Sequence, residues 1–190
     1  MHVKKETLLR DSDIKIIANI HKRNYPKGHL TSNFNESLLF EYYKVICQMS
    51  DFIVIARDND GIILGFAFVG KNFANLMRNF FKANKFAIIK FSMLNAFCVL
   101  AFFFAKFLNK TKYFKSSSTI RLLSIVTEQQ GTAVRGVGTK IINFICQDVC
   151  KEEVVGLSVK VSNLNALNFY IRNGFLIEEI IKDKAFMVKR

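Results

Sequence analysis

The sequence predicts one three-layer α/β domain of 190 residues, in which helices flank a mixed β-sheet of about seven strands. Three observations carry this prediction. Apolar runs with strand character alternate with amphipathic helical patterns, a near-continuous apolar strand lies at 119–127, and strand–turn–helix segments follow it. Hydrophobic residues make up 51% of the chain, so it can bury a core without disulfides or metal ions.

The first half of the chain predicts a strand at 3–9, helices at 13–24 and 38–46, and hairpin strands at 52–57 and 62–70. Isoleucines recur at helical spacing in the first helix. Asn35 or Ser37 caps the second helix, because a short polar side chain accepts hydrogen bonds from first-turn N–H groups. The turn Asp-Asn-Asp-Gly has the composition that hairpins favour.

The second half predicts strands at 119–127, 155–161, 175–181 and 185–188, with helices at 137–149 and 165–172. The run TIRLLSIVT is apolar enough for a strand that is covered on both faces. In the helix that follows, Ile141, Ile142, Ile145 and Val149 mark the buried side.

An insertion at 71–118 separates the third strand from the fourth and has room for two helices. It holds no Asp or Glu, and its nine basic residues are Lys71, Arg78, Lys82, Lys85, Lys90, Lys106, Lys110, Lys112 and Lys115. The apolar stretch 91–105 is short of the roughly 20 residues of a membrane span, so we expect a core-packed or interfacial helix pair. Because the basic residues are interleaved with aliphatic and aromatic ones, the net charge of +13 does not indicate nucleic-acid binding.

Two segments, VRGVGTKII at 134–142 and VKVSNLNALNFYIRNGF at 159–175, carry a family resemblance. Together they resemble the cofactor half of the GCN5-related N-acetyltransferases (GNAT). The resemblance implies the acyl-CoA N-acyltransferase fold, whose fourth and fifth strands splay apart. It also implies acetyl-CoA as co-substrate and no metal.

The resemblance further implies which residues bind the cofactor. The glycine turn lets backbone N–H groups and a helix N-terminus converge on a pyrophosphate. Ala133 stands where the family has Gln or Arg. The pantetheine arm would add to the fourth strand like a further strand. The implied cofactor residues are Ile125, Val126, Thr127, Val134, Arg135, Gly136, Val137, Gly138, Thr139 and Asn163.

Tyr170 matches the family tyrosine that protonates the departing thiolate. A phenol keeps its proton at neutral pH, and a thiolate can take it. The alternative is a core aromatic residue on an amphipathic helix. Gly174 and Phe175 would form a left-handed helix end and a core anchor.

The proton acceptor for the amine stays open among Glu128, His29 and a chain of water molecules. The fourth strand itself contains no carboxylate. Cys98, Cys146 and Cys150 fall on apolar faces, which disfavours an acyl-cysteine intermediate and favours direct transfer in a ternary complex.

The sequence therefore predicts an acetyl-CoA-dependent N-acetyltransferase acting on a primary amine, on a nucleotide- or lipid-linked amino sugar of surface-polysaccharide synthesis. The alternatives are a peptide or protein amine, and a non-catalytic CoA-binding protein of a membrane surface. No signal-peptide pattern opens the chain, so we expect a cytoplasmic setting. The insertion would attach the protein to the inner face of the membrane or join two subunits.

Overall fold

In the computed structural model of the chain, residues 1–25, 30–95, 114–128 and 134–190 are described. Within these ranges, seven strands form one sheet in the order β1-β2-β3-β4-β5-β7-β6. The strands are β1 (His2–Glu6), β2 (Phe52–Arg57), β3 (Ile63–Gly70), β4 (Ile120–Thr127), β5 (Val155–Lys160), β6 (Leu176–Ile181) and β7 (Lys184–Lys189). The sheet is mixed because β4 and β5 are parallel while the other neighbouring pairs are antiparallel.

The helices pack on both faces of this sheet. They are α1 (Asp11–Asn24), α2 (Glu36–Met49), α3 (Leu76–Ala83), α4 (Lys85–Leu94), α5 (Val137–Asn143) and α6 (Leu164–Arg172). Side chains of α1 to α4 pack with one face, around buried Tyr43, Phe66 and Phe68. Those of α5 and α6 pack with the other face, around Ile141 and Phe175. The predicted three-layer architecture is confirmed.

The starts of two helices have identifiable physical causes, a side-chain cap for α2 and acidic first-turn residues for α1. Asn35 is the residue before α2, and its side chain accepts a hydrogen bond of 2.9 Å from the N–H of Leu38, so the Asn35 alternative of the prediction is correct. The first helix begins at Asp11, two residues earlier than predicted, with Asp11 and Asp13 in its first turn. Acidic side chains are favourable there because the helix dipole is positive at its N-terminus.

The helix predicted over 137–149 changes its winding midway. It is α-helical through Asn143 and then forms a π-helical turn over Phe144–Val149. The N–H of Cys150 donates to the carbonyl of Ile145 at 2.8 Å, which is the wider spacing of a π-turn. Ile141, Ile142 and Ile145 are buried as the pattern predicts, whereas Val149, the fourth residue of the predicted buried side, is only half-buried.

The insertion begins with the two helices α3 and α4, which pack beside α2 on the first face. Phe80 of α3 and Phe91 of α4 both contact the ring of Phe34, at centroid distances of 5.6 and 5.1 Å. Residues 96–113, which include most of the apolar stretch at 91–105, lie outside the described residues. None of the helices in the described ranges is long and apolar enough to cross a membrane.

Candidate active site

The fourth and fifth strands part soon after they meet. Ile120 pairs with Val155 and Arg121 with Gly156, and no further pair joins the two strands in the described part of the chain. Both strands continue well beyond this point, β4 to Thr127 and β5 to Lys160. The predicted splay is therefore present, and it leaves one long side of β4 open.

Backbone groups of β4 alternate between the open side and β3. The N–H of Glu128, just after the strand, donates to the carbonyl of Leu64 at 2.8 Å. In an antiparallel pair every second residue bonds to its neighbour, so Val126 directs its N–H and C=O at β3. Ile125 and Thr127 then direct theirs at the opening. Two of the three strand residues predicted to bind pantetheine thus direct backbone groups at the opening.

The glycine turn leads directly into α5. Gly136 has a φ of 76°, in the left-handed region that glycine adopts without strain, and it precedes the first helical residue. Gly136, the residue before α5, has no side chain with which to cap the helix, so it leaves the first N–H groups of α5 to another partner. Val134, Arg135 and Thr139 are exposed beside it, whereas Val137 is buried in the core.

Gly138 brings α5 close to α6. A Cβ atom at this position would lie 3.0 Å from Cζ of Phe169 and 3.7 Å from Cγ2 of Thr127. The glycine is therefore needed for the close approach of the two helices. The contact also places the end of β4 and the glycine turn side by side.

Tyr170 follows Phe169 on α6 and is 9% exposed. Its ring packs between Phe169 and Phe175, at centroid distances of 5.3 and 5.5 Å. Burial raises the pKa of its hydroxyl above the ordinary value of 10.0, and the charge of an ionised Tyr25 would raise that pKa further. The Tyr170 phenol therefore keeps its proton at neutral pH.

The end of α6 has the predicted geometry. Gly174 has a φ of 82°, and its N–H donates to the carbonyl of Ile171 at 2.9 Å. The N–H of Phe175 donates to the carbonyl of Tyr170 at 3.0 Å, which completes the paired bonds of a Schellman helix end. Phe175 is 1% exposed, so it anchors the helix end in the core.

Asn163 has a structural role in addition to the one predicted for it. Its side-chain oxygen accepts a hydrogen bond of 3.2 Å from the N–H of Ala166 and so caps α6. A contact with a cofactor would fall to the amide nitrogen of the same side chain, because that nitrogen is a donor and takes no part in the cap.

Glu128 is held by the end of α1. Its carboxylate accepts hydrogen bonds from Nε of Arg23 at 3.2 Å and from Nδ2 of Asn24 at 2.9 Å, and it also contacts Nη2 of Arg23. The Glu128 side chain is 9% exposed. Its lone pairs are engaged by these donors, which favours a clamp between α1 and β4 over a proton acceptor. His29, the other residue considered for that role, lies outside the described residues.

An aromatic cluster at the end of α1 and in α2, close in sequence to Arg23 and Asn24, was missed by the sequence reasoning. Nδ1 of His21 is 2.7 Å from the hydroxyl of Tyr43, and its ring stacks on Tyr25 at 4.0 Å. His21 is 2% exposed. The signal was present, because His21 follows Ile17 by four residues and Ile14 by seven and so lies on the apolar side of α1.

The described cysteines are not activated nucleophiles. Burial raises the pKa of the Cys47 thiol to about 12 and that of Cys150 to about 11, and it also raises the pKa of Cys146. These thiols stay protonated and weakly nucleophilic at neutral pH. Cys98 lies outside the described residues. No group of three or more His, Cys, Asp or Glu side chains suited to a metal ion occurs among the described residues.

Comparison with protein-family models and with curated proteins found no match. Solved structures do match over nearly the whole chain. An N-acetyltransferase from Staphylococcus aureus Mu50 is 13% identical with a TM-score of 0.60, over 98% of this chain and 100% of that chain. A GNAT-family acetyltransferase from Bacillus cereus ATCC 10987 is 13% identical with a TM-score of 0.56, over 100% and 98%.

A third structure, the PaiA N-acetyltransferase from Thermoplasma acidophilum, was solved in complex with coenzyme A. It is 14% identical with a TM-score of 0.54, over 100% of this chain and 99% of that chain. At such identities the likeness establishes the fold. The chain has the fold of the GNAT-family acetyltransferases, as the two sequence segments predicted.

Proposed function

We propose that the chain is a GNAT-family N-acetyltransferase that transfers an acetyl group from acetyl-CoA to a primary amine. The observation that carries the proposal is the opening between β4 and β5. It lies beside the open backbone of Ile125 and Thr127 and the turn before α5, whose Gly138 contacts Phe169 of the helix that carries Tyr170. Three structures of acetyltransferases with this fold span almost the same length of chain.

The residues around the opening fit the two chemical parts of coenzyme A. The pantetheine arm carries amide groups, and Ile125 and Thr127 can bond to amides as an added strand does. The pyrophosphate is an anion, and the uncapped start of α5 offers N–H groups after a left-handed glycine. Arg135 and Thr139 are exposed at this turn and can add a charge and a hydroxyl. Asn163 would contribute its amide nitrogen.

Acetyl-CoA supplies an acetyl group activated as a thioester. The protein's own residues first orient the thioester and the amine relative to each other. Two reactants held in this way react as if they were parts of one molecule. Tyr170 then donates its hydroxyl proton to the departing sulfur. The phenol is protonated at neutral pH, so its proton is available when the thiolate forms. The protonated cysteines favour direct attack by the amine over a relay through an acyl-cysteine.

For the amine itself we propose an amino sugar linked to a nucleotide or a lipid. The support is the charge of the insertion, whose described part at 71–95 has five basic residues and no acidic one. Such substrates carry phosphate groups, which a basic surface attracts. A peptide or protein amine is the rival substrate, and a CoA-binding protein without turnover is the rival function.

A thiol-release assay with a panel of amines tests the proposed function. Coenzyme A release should depend on acetyl-CoA and an amine together, with nucleotide-linked amino sugars preferred over peptides. A parallel calorimetric titration with acetyl-CoA separates binding from turnover. Binding without turnover on any amine would favour the non-catalytic alternative, and absence of binding would refute the proposal.

A further inference from the structure

Helix α4 differs from the other helices in what it exposes. It is ten residues long, reads KFAIIKFSML, and contains no buried residue. Phe86 is 88% exposed, Ile89 57% and Met93 79%. A helix that is apolar on most of its surface is normally enclosed by protein or by lipid. The exposed side of α4 therefore calls for a covering partner.

Three of the four exposed large apolar side chains of α4 form one stripe, whereas the fourth, Leu94, lies apart from it near the end of the helix. Phe86, Ile89 and Met93 are spaced by three and four residues, which places them on the same side of a helix. The opposite side faces the protein, where Ile88 and Phe91 pack against the core. The stripe is thus a surface directed away from the domain.

Basic residues border this stripe on both sides. At 100° per residue, Lys85 and Lys90 fall on opposite flanks of the stripe. Lys82 stands in the last turn of α3, directly before α4. The described part of the insertion has no acidic residue, and Lys82, Lys85 and Lys90 are exposed and form no ion pair with the described residues. Among the described residues, the apolar stripe is therefore flanked by lysines that no acidic side chain pairs with.

We propose that α4 and the end of α3 dock on an anionic membrane surface. Phe86, Ile89 and Met93 would enter the boundary between headgroups and acyl chains, and the flanking lysines would reach anionic headgroups. The helix spans about 15 Å, which is half of the roughly 30 Å of a bilayer's hydrocarbon core, so it lies along the surface.

The charge pattern favours a membrane over a second copy of the chain. A symmetric dimer through this stripe would bring the same surface of two subunits together. The lysines that flank the stripe of one copy would then lie near those of the other copy, and like charges oppose such a contact. An anionic lipid surface satisfies the apolar stripe and the lysines at the same time. This inference concerns binding only and does not depend on the proposed enzymatic activity.

Vesicle flotation of the full chain tests this inference. The parent protein should float with an equal mixture of phosphatidylcholine and phosphatidylserine, and much less with phosphatidylcholine alone. Binding should weaken as salt rises, because the lysine contribution is screened. Failure to float with the anionic vesicles at low salt would overturn the inference.

Two variants and a matched control locate the contact. Replacing Lys82, Lys85 and Lys90 by Gln should lower the affinity for anionic vesicles about 100-fold, since each basic residue near the surface is worth about fivefold. The control replaces Lys15, Lys151 and Lys184 by Gln. These three lysines are also exposed, and their replacement removes the same charge. It should reduce binding far less. Equal losses in the two triple variants would show that net charge alone, not this surface, binds lipid.

The second variant, Phe86→Ser with Met93→Ser, tests the apolar stripe. This double variant should lower the floated fraction most at high salt, where the lysines contribute least to vesicle binding. Both positions are largely exposed, so the fold should be kept, which circular dichroism checks. Sedimentation of the parent in solution gives an independent result. A dimer that the serine variant dissociates would assign the stripe to a second copy and overturn membrane docking.

Discussion

Gly138 and Phe169 lie in such close contact that a Cβ atom on the glycine would be 3.0 Å from Cζ and 3.2 Å from Cε2 of the ring. The contact joins the first turn of α5 to α6, one residue before Tyr170. The element proposed to bind the pyrophosphate and the one proposed to donate the proton are therefore aligned by direct packing. Displacing either would move it relative to the other.

Replacement of Gly138 by Val should destabilise the protein by about 1–3 kcal/mol, because the added carbons overpack the contact with Phe169. Urea unfolding measures this loss. A second change, Phe169→Leu, should recover part of it by removing the ring. The control Gly136→Ala has open space around its new carbon and should cost about 1–2 kcal/mol through its left-handed backbone alone. No recovery in the double variant would contradict the proposed contact.

The local elements were predictable because each depends on neighbours in sequence. The helix end at Gly174 and the cap at Asn35 follow from short-range rules for glycine and asparagine. The hairpin strands follow from their apolar pattern and turn residues. The splay of β4 and β5 was predicted from the resemblance of two motifs.

The rest depends on contacts between distant residues. Glu128 and Arg23 are 105 residues apart, and nothing in either local segment indicates their pairing. The close approach at Gly138 depends on Phe169 of another helix, so the sequence indicated a phosphate turn but not this packing role. The π-turn after Asn143 leaves Ile145 buried as an α-helix would, but Val149 is only half-buried, so the periodicity did not reveal the change of winding.

Replacement of Tyr170 by Phe should lower turnover on the order of 10²-fold while acetyl-CoA affinity stays nearly unchanged. The Phe ring keeps the packing against Phe169 and Phe175, so only the hydroxyl is lost. Pre-steady-state kinetics with the best amine, under conditions where chemistry is rate-limiting, gives the comparison. Unaltered chemistry in the variant would assign Tyr170 to core packing.

The pH dependence of the parent follows from the same residue. The pKa of Tyr170 is raised above 10.0, so its neutral, proton-donating form predominates at every pH below that value. Ionisation of Tyr170 should therefore cause no loss of turnover below about pH 10. A Tyr170-dependent decline near neutral pH would contradict this assignment.

Replacement of Glu128 by Gln tests the clamp between α1 and β4. The amide oxygen still accepts one hydrogen bond but loses the ion pair with Arg23, so we expect a loss of about 1–2 kcal/mol in unfolding free energy. The shape of the kcat/KM profile against pH should be unchanged. If the kcat/KM profile of the variant instead lost its acidic limb, and its turnover fell on the order of 10²-fold, Glu128 would be the proton acceptor.

Two changes at Asn163 separate its cap from its predicted cofactor contact. Asp keeps an oxygen that can cap α6 but removes the amide donor, so acetyl-CoA affinity should fall while stability is kept. Replacement by Ala removes both the capping oxygen and the amide donor, so it should also cost about 1 kcal/mol of stability. Calorimetry and thermal unfolding of both variants provide the readings. Undiminished acetyl-CoA binding by the Asp variant would leave Asn163 with the capping role alone.

Amide hydrogen exchange of β4, resolved by residue with NMR, most directly tests whether acetyl-CoA binds in the opening between β4 and β5. Without ligand, the Val126 amide should exchange slowly because it bonds to β3, while Ile125 and Thr127 should exchange faster. Saturating acetyl-CoA should slow Ile125 and Thr127 strongly and change Val126 little. Binding that leaves the exchange of Ile125 and Thr127 unchanged would contradict the account.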